Sequence, residues 1–333
     1  MRKLKGKDLL GITDLTGEEI QFVVDTAKRL KEDRRLGISH KVLEDKALAG
    51  IFETPSTRTS ISFESAMTHL GGHMMWLGQD RLWTGDAAEE NWFDTIKTVD
   101  RYVDGIAYRC VNRDKLTAAA KYADVPVINA SCPVEHPTQA LADVQAMQEH
   151  QGDLKGKKVA FLWGYRAANP PAGLTNSTML MGAKMGFDVT IACPEGFDPD
   201  MNYKAMADEA AKLTGAKINI VRSYEEAVKD ADFINIYSWV SPEVFAEGLK
   251  THFKGSPEFT EKKAALKNKW CVTQDIVDLA KPTCNVMHCL PVARNEEVTS
   301  EVLDSSQSII FDEAENRMHT IEALLALLVG GTV

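Results

Sequence analysis

The 333-residue chain has no apolar run approaching the roughly eighteen residues that cross a bilayer. Its basic start, Met1-Arg2-Lys3-Leu4-Lys5-Gly6-Lys7, is not followed by the apolar stretch of a secretory signal, so a cytoplasmic protein is expected. Positive charge is in deficit: Lys+Arg 38 against Asp+Glu 48 leaves a net charge of -10. That balance excludes nucleic acid and anionic membranes as partners, since both need a net basic face. The six cysteines (Cys110, Cys132, Cys193, Cys271, Cys284, Cys289) form no C-x-x-C pair and sit mostly in apolar, strand-like contexts. They read as reduced, buried thiols, without a structural zinc. No metal or organic cofactor is expected. The loop after the apolar run Val159 to Trp163 lacks G-x-G-x-x-G, which argues against a nicotinamide-dependent dehydrogenase.

What is present is a strand–helix alternation throughout. Glu18 to Asp33 predicts a helix with Ile20, Phe22, Val23, Ala27 and Leu30 on roughly one side. Ala47 to Phe52 predicts a strand that runs into Pro55-Ser56-Thr57-Arg58-Thr59. The next helix carries Phe63, Ala66, Met67 and Leu70 as one apolar stripe and ends at Gly71-Gly72. Gly105 to Tyr108 and Val125 to Asn129 predict strands, and Thr138 to about His150 a helix. A second series follows: Val159 to Trp163, Ser177 to Met185, Val189 to Cys193, Ile218 to Val221, Tyr224 to Lys229, Phe233 to Tyr237, Asn285 to Leu290, and a last helix from Met318 to Leu328. Short apolar strands separated by helices imply α/β architecture, with parallel sheets covered on both faces. The length suits two domains, 1–150 and 151–315, with a final helix over 316–330 that returns to the first.

Ser56, Thr57 and Thr59 are good helix caps, and Pro55 suits a helix start. Capping alone leaves Arg58 unexplained, because a cation at a helix N-terminus is unfavourable by up to about 1 kcal/mol. A bound dianion reverses that sign, since N–H groups, hydroxyls and guanidinium all point at it. Arg109 ends a strand, as the Arg58 loop follows one, and ligands gather at such ends. His136-Pro137-Thr138-Gln139, His288-Cys289-Leu290-Pro291 and Glu315-Asn316-Arg317 add a histidine, an amide, a thiol and another arginine. These are the groups needed to hold a carbonyl beside an anion, which suggests a carbamoyl or acyl phosphate.

Together with Asp312-Glu313-Ala314, these four segments resemble the aspartate/ornithine carbamoyltransferase family over nearly the whole chain, in order and spacing. The resemblance implies two α/β domains and a homotrimer with active sites between subunits. The first domain would take carbamoyl phosphate and the second an amine acceptor. It further implies that Ser56, Thr57, Arg58, Thr59, Arg109 and Arg317 hold the phosphate. His136, Gln139 and Arg109 would polarise the carbamoyl group, with Thr59 as a further donor, and His288, Cys289, Leu290 and Pro291 would line the junction of both substrates.

On the acceptor side the chain resembles the N-acetylornithine and N-succinylornithine branch. Ornithine enzymes carry Asp-x-Trp-x-Ser-Met-Gly where this chain has Ser238-Trp239-Val240-Ser241-Pro242-Glu243. Gly164 to Gly173 is a proline-bearing loop, which by resemblance implies a trefoil knot in the second domain. Trp83 falls where that branch places a tryptophan reaching a neighbouring subunit's site. Arg294 is present, but Ala293 stands where that branch has another arginine, and Ser60 stands where many relatives have one. The expected activity is carbamoyl transfer to ornithine or an N-acylated ornithine, in arginine-type amino-acid metabolism, with Ser238, Trp239, Cys289, Leu290, Pro291 and Arg294 around the acceptor. Alternatives are a different amine (a diamine or another amino acid) and a non-catalytic carbamoyl phosphate-binding protein. Which group takes the amine proton is left open among His136, a phosphate oxygen and the Cys289 region.

Overall fold

The computed structural model describes residues 4–82, 90–250 and 257–331. The chain forms two compact units: Met1–Gln145 with Ala314–Val333, and Ala146–Glu313.

The first unit holds a four-stranded parallel sheet of β1 (Ala47–Phe52), β2 (His73–Gly78), β3 (Gly105–Arg109) and β4 (Val127–Ser131), in the order β2-β1-β3-β4. Ile51, Ile106, Tyr108, Ile96 and Leu116 are fully buried in the cluster beneath it. β4 starts at Val127 and not at Val125, because Pro126 has no N–H to give a ladder. Register decides where the chemistry goes. Phe52 pairs with Arg109, and Arg109 with Ser131, so three strands end level with one another. Arg109 is itself the last residue of β3, and the loops leaving β1 and β4 carry Ser56 and His136.

The second unit holds β5 (Lys158–Trp163), β6 (Asp188–Ala192), β7 (Ile218–Val221), β8 (Phe233–Tyr237) and β9 (Asn285–Met287), all parallel, in the order β7-β6-β5-β8-β9. The order reverses between β5 and β8, the kind of switch point where open α/β sheets take ligands. The loops after β5 (from Gly164) and β8 (from Ser238) leave from it. β9 stops at Met287, ahead of a turn in which Leu290 is left-handed, with φ 54.

The strand β2 and the helices Trp92–Asp100, Arg113–Tyr122, Met201–Ala211, Pro242–Lys250 and Pro257–Ala264 go beyond the sequence expectation. The final helix starts at Ile310, eight residues early, runs to Leu325 and continues as a wider π-helical turn, Ala326–Gly330. Among the described residues no helix is long and apolar enough to cross a membrane.

Candidate active site

The helix Thr57–His69 begins as its sequence requires. The Ser56 hydroxyl oxygen accepts from Thr59 N–H at 3.3 Å, and the Ser56 O–H lies 2.9 Å from Thr59 Oγ1. Arg317 reaches the same hydroxyl from the final helix, with Nη2 donating to Thr59 Oγ1 at 2.7 Å. With two donors on its oxygen, Thr59 has its own proton left to give. The other Arg317 Nη donates to Gln139 Oε1, and Gln139 Nε2 donates to Asp143 at 2.7 Å. Gln139 thus holds the guanidinium in place. Thr59, Gln139 and Arg317 are all buried.

The final helix is itself fixed. Buried Lys31, on the helix Gly17–Arg35, donates to Asn316 Oδ1 at 2.7 Å and pairs with Glu315 at 3.2 Å. On β3, Arg109 Nε donates to Thr54 Oγ1 at 2.9 Å. Glu53 braces that loop: it accepts from Tyr108 Oη at 2.8 Å, Val111 N–H at 2.8 Å and Lys115 Nζ at 3.1 Å. The turn after β4 is organised by Asn129. Its Oδ1 accepts from Ser131 N–H at 3.0 Å, and its Nδ2 donates to the Leu10 and Glu135 carbonyls at 2.7 and 3.2 Å. Ser131 sits at φ 146, a conformation costly for a residue with a side chain and held here by that lattice of bonds.

His136 leaves this turn half-buried, with Thr138 Oγ1 at 3.4 Å from its Nδ1. Burial, then the charges of Arg317, Arg109 and Arg58, hold its imidazole well below the ordinary histidine range. That ordering states the electrostatics of the site: three guanidiniums bear on one neutral ring. A positive pocket inside an acidic protein is a place for a small dianion.

In the second unit, His288 is buried and donates from Nε2 toward Glu297 Oε2 at 2.7 Å. Its Nδ1 accepts from Leu290 N–H at 2.9 Å. Both ring nitrogens are therefore committed to shaping the Cys289-Leu290-Pro291 turn. Glu297 Oε1 meets Arg166 Nε at 3.5 Å, and Arg166 Nη1 donates to the Pro291 carbonyl at 2.8 Å. Buried Lys263 donates to Ala168 O and Asn169 Oδ1 at 2.6 and 2.7 Å, so it clamps the proline-bearing loop. Burial, then Arg166, brings its ammonium down to about 8.

Cys289 and Leu290 are half-buried and Pro291 is exposed. Ser238 is buried. Trp239 is wholly in the core, where its Nε1 donates to Phe197 O at 2.8 Å and its carbonyl accepts from Trp163 at 2.7 Å. Arg294 is exposed and bound by both Nη atoms to Asp304 at 2.8 Å. A cavity of about 440 Å³ is lined by Asp198, Asp200, Ser241 and Glu243, with Gly196 and Met201. Trp83 lies outside the described residues. Thr57 is exposed and Arg58 half-buried at the helix start.

Glu53, Thr54, Asn129, Lys263 and Glu297 emerge only in three dimensions. Each acts on a partner far away in sequence; Asn129 also bonds locally to Ser131 and Glu135, and its place before a serine-bearing turn was a local signal. Among the described residues no group of three His, Cys, Asp or Glu is placed to hold a metal ion.

Comparison with known proteins covers the whole chain. The family profile described as the aspartate/ornithine carbamoyltransferase carbamoyl-P binding domain matches residues 7–149. The one described as its Asp/Orn binding domain matches residues 155–328. The chain is 41% identical over 328 residues to an ornithine carbamoyltransferase of Pyrococcus abyssi, covering 98% of this chain and 97% of that one. Among solved structures, ornithine carbamoyltransferase from Pyrococcus furiosus is similar with a TM-score of 0.88 and 38% identity, over 100% of both chains. An acetylornithine transcarbamylase complexed with acetylcitrulline is similar with a TM-score of 0.87 and 30% identity, over 97% of this chain and 99% of that one.

Proposed function

The chain belongs to the aspartate/ornithine carbamoyltransferase family, and from that premise we propose that the arginine cluster of the first unit is its carbamoyl phosphate site and that free ornithine is its acceptor. It is a carbamoyltransferase: the carbamoyl group of carbamoyl phosphate moves to the amine of ornithine or an N-acylated ornithine, and phosphate is released. The observation that carries the site reading is the reach of Arg317 to Thr59 and Gln139 beside the helix start that bears Ser56 and Arg58, with His136 held neutral by burial and the neighbouring arginine charges.

The chemistry follows from those groups. The phosphate dianion takes the guanidiniums, the Ser56 and Thr57 hydroxyls and the N–H groups of the helix start. Attack by a neutral amine puts negative charge on the carbamoyl oxygen. Arg109, the His136 N–H and the Thr59 proton are the donors for it, each worth on the order of 3–4 kcal/mol in a transition state. The bond from carbonyl carbon to phosphate oxygen then breaks, and Arg58 and Arg317 take the growing charge on the leaving group.

Free ornithine is favoured because the cavity at the start of the helix Pro242–Lys250 carries three carboxylates: Asp198 is paired with Arg222 at 2.6 Å and Asp200 caps the Asn202 N–H, which leaves Glu243 to meet an ammonium. Such a lining suits an acceptor that keeps its ammonium. Arg294, the cation that an anionic acyl group would use, is already held by Asp304. The competing reading, an N-acylated ornithine, draws on the lack of an acidic residue at Tyr237 or Ser238.

The enzyme is further proposed to be a cytoplasmic homotrimer with Trp83 serving a neighbouring site. The edge strand β2 supports self-association: Met74, Met75 and Leu77 are only half-covered, and Trp76 is 37% exposed. An apolar, half-bare edge is a surface for another chain. Incubation with carbamoyl phosphate and ornithine should give a product carbamoylated at the δ-nitrogen, identified by its mass. Failure to form it while N-acetylornithine is carbamoylated would replace the ornithine reading with the acyl one.

A further inference from the structure

Arg109 and Ser131 are register partners on β3 and β4, and the next residue on each chain is a cysteine. Cys110 N–H donates to Ser131 O at 3.1 Å, which keeps the two chains side by side at that level. Neighbouring strands lie about 4.8 Å apart, inside the Cα separation of roughly 4.4–6.8 Å that a disulfide needs. Both side chains are buried in the same cluster.

The surroundings of Cys132 are unusual for a core thiol. Asn129 Nδ2 and Glu135 N–H each approach its sulfur at 3.3 Å, and Arg113 Nη1 at 3.6 Å. The Glu135 carbonyl lies 3.4 Å away, the acceptor its proton takes when it is a thiol. A sulfur met by an amide, a backbone N–H and a guanidinium, with a second thiol beside it, is arranged to carry negative charge. Burial alone would raise this thiol; the Cys110 S–H, Arg113 and Glu135 N–H outweigh it and bring it down. The pair is buried but shallow, since Ser131, Pro133, Val134 and Val111 around it keep solvent contact.

We infer that Cys132 is a site of oxidative modification by peroxide, with Cys110 as its resolving thiol, and that the resulting disulfide weakens the neighbouring anion site. The Cys132 thiolate attacks the O–O bond of hydrogen peroxide, forming S–OH and releasing hydroxide, which takes up a proton as water. The Cys110 thiol then displaces the sulfenic oxygen as a second water, and the S–S bond forms. Two thiols are oxidised by two electrons and one peroxide is reduced to two waters.

The link to the site is covalent and short. Arg109 immediately precedes Cys110, and Glu135 and His136 follow Cys132 in one turn. Oxidation takes the sulfur away as acceptor from Glu135 N–H and Asn129 Nδ2, two of the bonds that hold this turn. The regulatory half of the inference rests on the reading of the arginine cluster as the carbamoyl phosphate site.

The test treats the full-length protein with hydrogen peroxide, maps disulfides by peptide mass, and titrates carbamoyl phosphate by calorimetry before and after. Expected are one Cys110–Cys132 disulfide, an affinity for carbamoyl phosphate lowered by about tenfold or more through displacement of the turn, and recovery of both with dithiothreitol. Cys110→Ser should bind carbamoyl phosphate as before, form no disulfide, and leave a Cys132 sulfenic acid that dimedone traps. Mapping on the unaltered protein stands even where that variant folds poorly. Persistence of both thiols under peroxide, or oxidation confined to Cys289, would overturn the modification. A disulfide with unchanged affinity would overturn the switch. No binding by the reduced protein would instead remove the anion-site reading, with the disulfide result still readable.

Discussion

At the residue scale the proposed site turns on a neutral His136 near three arginines. In the proposed mechanism the ring offers one N–H to the carbamoyl oxygen, because its surroundings refuse it a second proton. Its native pKa lies below the unfolded value of about 6.5, so the native state binds fewer protons there. The stability lost to this residue therefore begins as pH falls through about 6.5 and grows until the native value is passed. Between about pH 8 and pH 6 the His136 ring signals of the ligand-free protein should stay fixed in NMR. Carbamoyl phosphate, whose charge offsets the arginines, should move the titration upward. A ligand-free midpoint at or above the ordinary histidine value would contradict the cluster. Arg58 was legible in the sequence because a cation at a helix start needs a reason. The tie from Arg317 to Thr59 and Gln139 was not, since it joins residues 258 and 178 positions apart.

Elements decide which residues meet. The alternation of short apolar runs with helical stripes announced parallel sheets, and both sheets are parallel. β2 escaped notice because His73-Met74-Met75-Trp76 lacks the β-branched residues that mark strands. The helix Met201–Ala211 buries only Ala207 and Ala211 and so shows little apolar periodicity, while Arg113–Tyr122 buries only Leu116 and Ala119. At the β5 end, a Cβ added to Gly164 would lie 2.9 Å from Glu297 Cβ and 3.0 Å from its Cα and O. Backbone there cannot yield cheaply, and Glu297 holds both His288 and Arg166. Gly164→Ala should lower stability by about 1–3 kcal/mol and raise the acceptor KM, while carbamoyl phosphate affinity stays at the wild-type value. A variant with an unchanged acceptor KM would show that the loop and Glu297 do not set the acceptor site.

For the whole molecule, the proposed trimer turns the Trp83 placement into a complementation experiment. Arg58→Ala and Trp83→Ala should each be nearly inactive alone. Arg58→Ala loses a charge-assisted contact to the phosphate and should cost at least about 100-fold in kcat/KM. Mixed and reassembled, the two should regain activity, because some sites then draw an intact arginine and an intact tryptophan from different chains. A mixture no more active than its parts would contradict a shared site. The acid balance of the chain, read at the outset, has its counterpart here: in the proposed site the substrate anion would meet a local cluster of arginines in an acidic protein. The most direct test of the account is carbamoyl phosphate-dependent phosphate release, ranked by kcat/KM over ornithine, N-acetylornithine, N-succinylornithine, putrescine and aspartate. The account predicts ornithine first, with the acylated forms well behind. Equal or faster release with an acylated ornithine would contradict it, and so would silence across the panel from a protein that still binds carbamoyl phosphate.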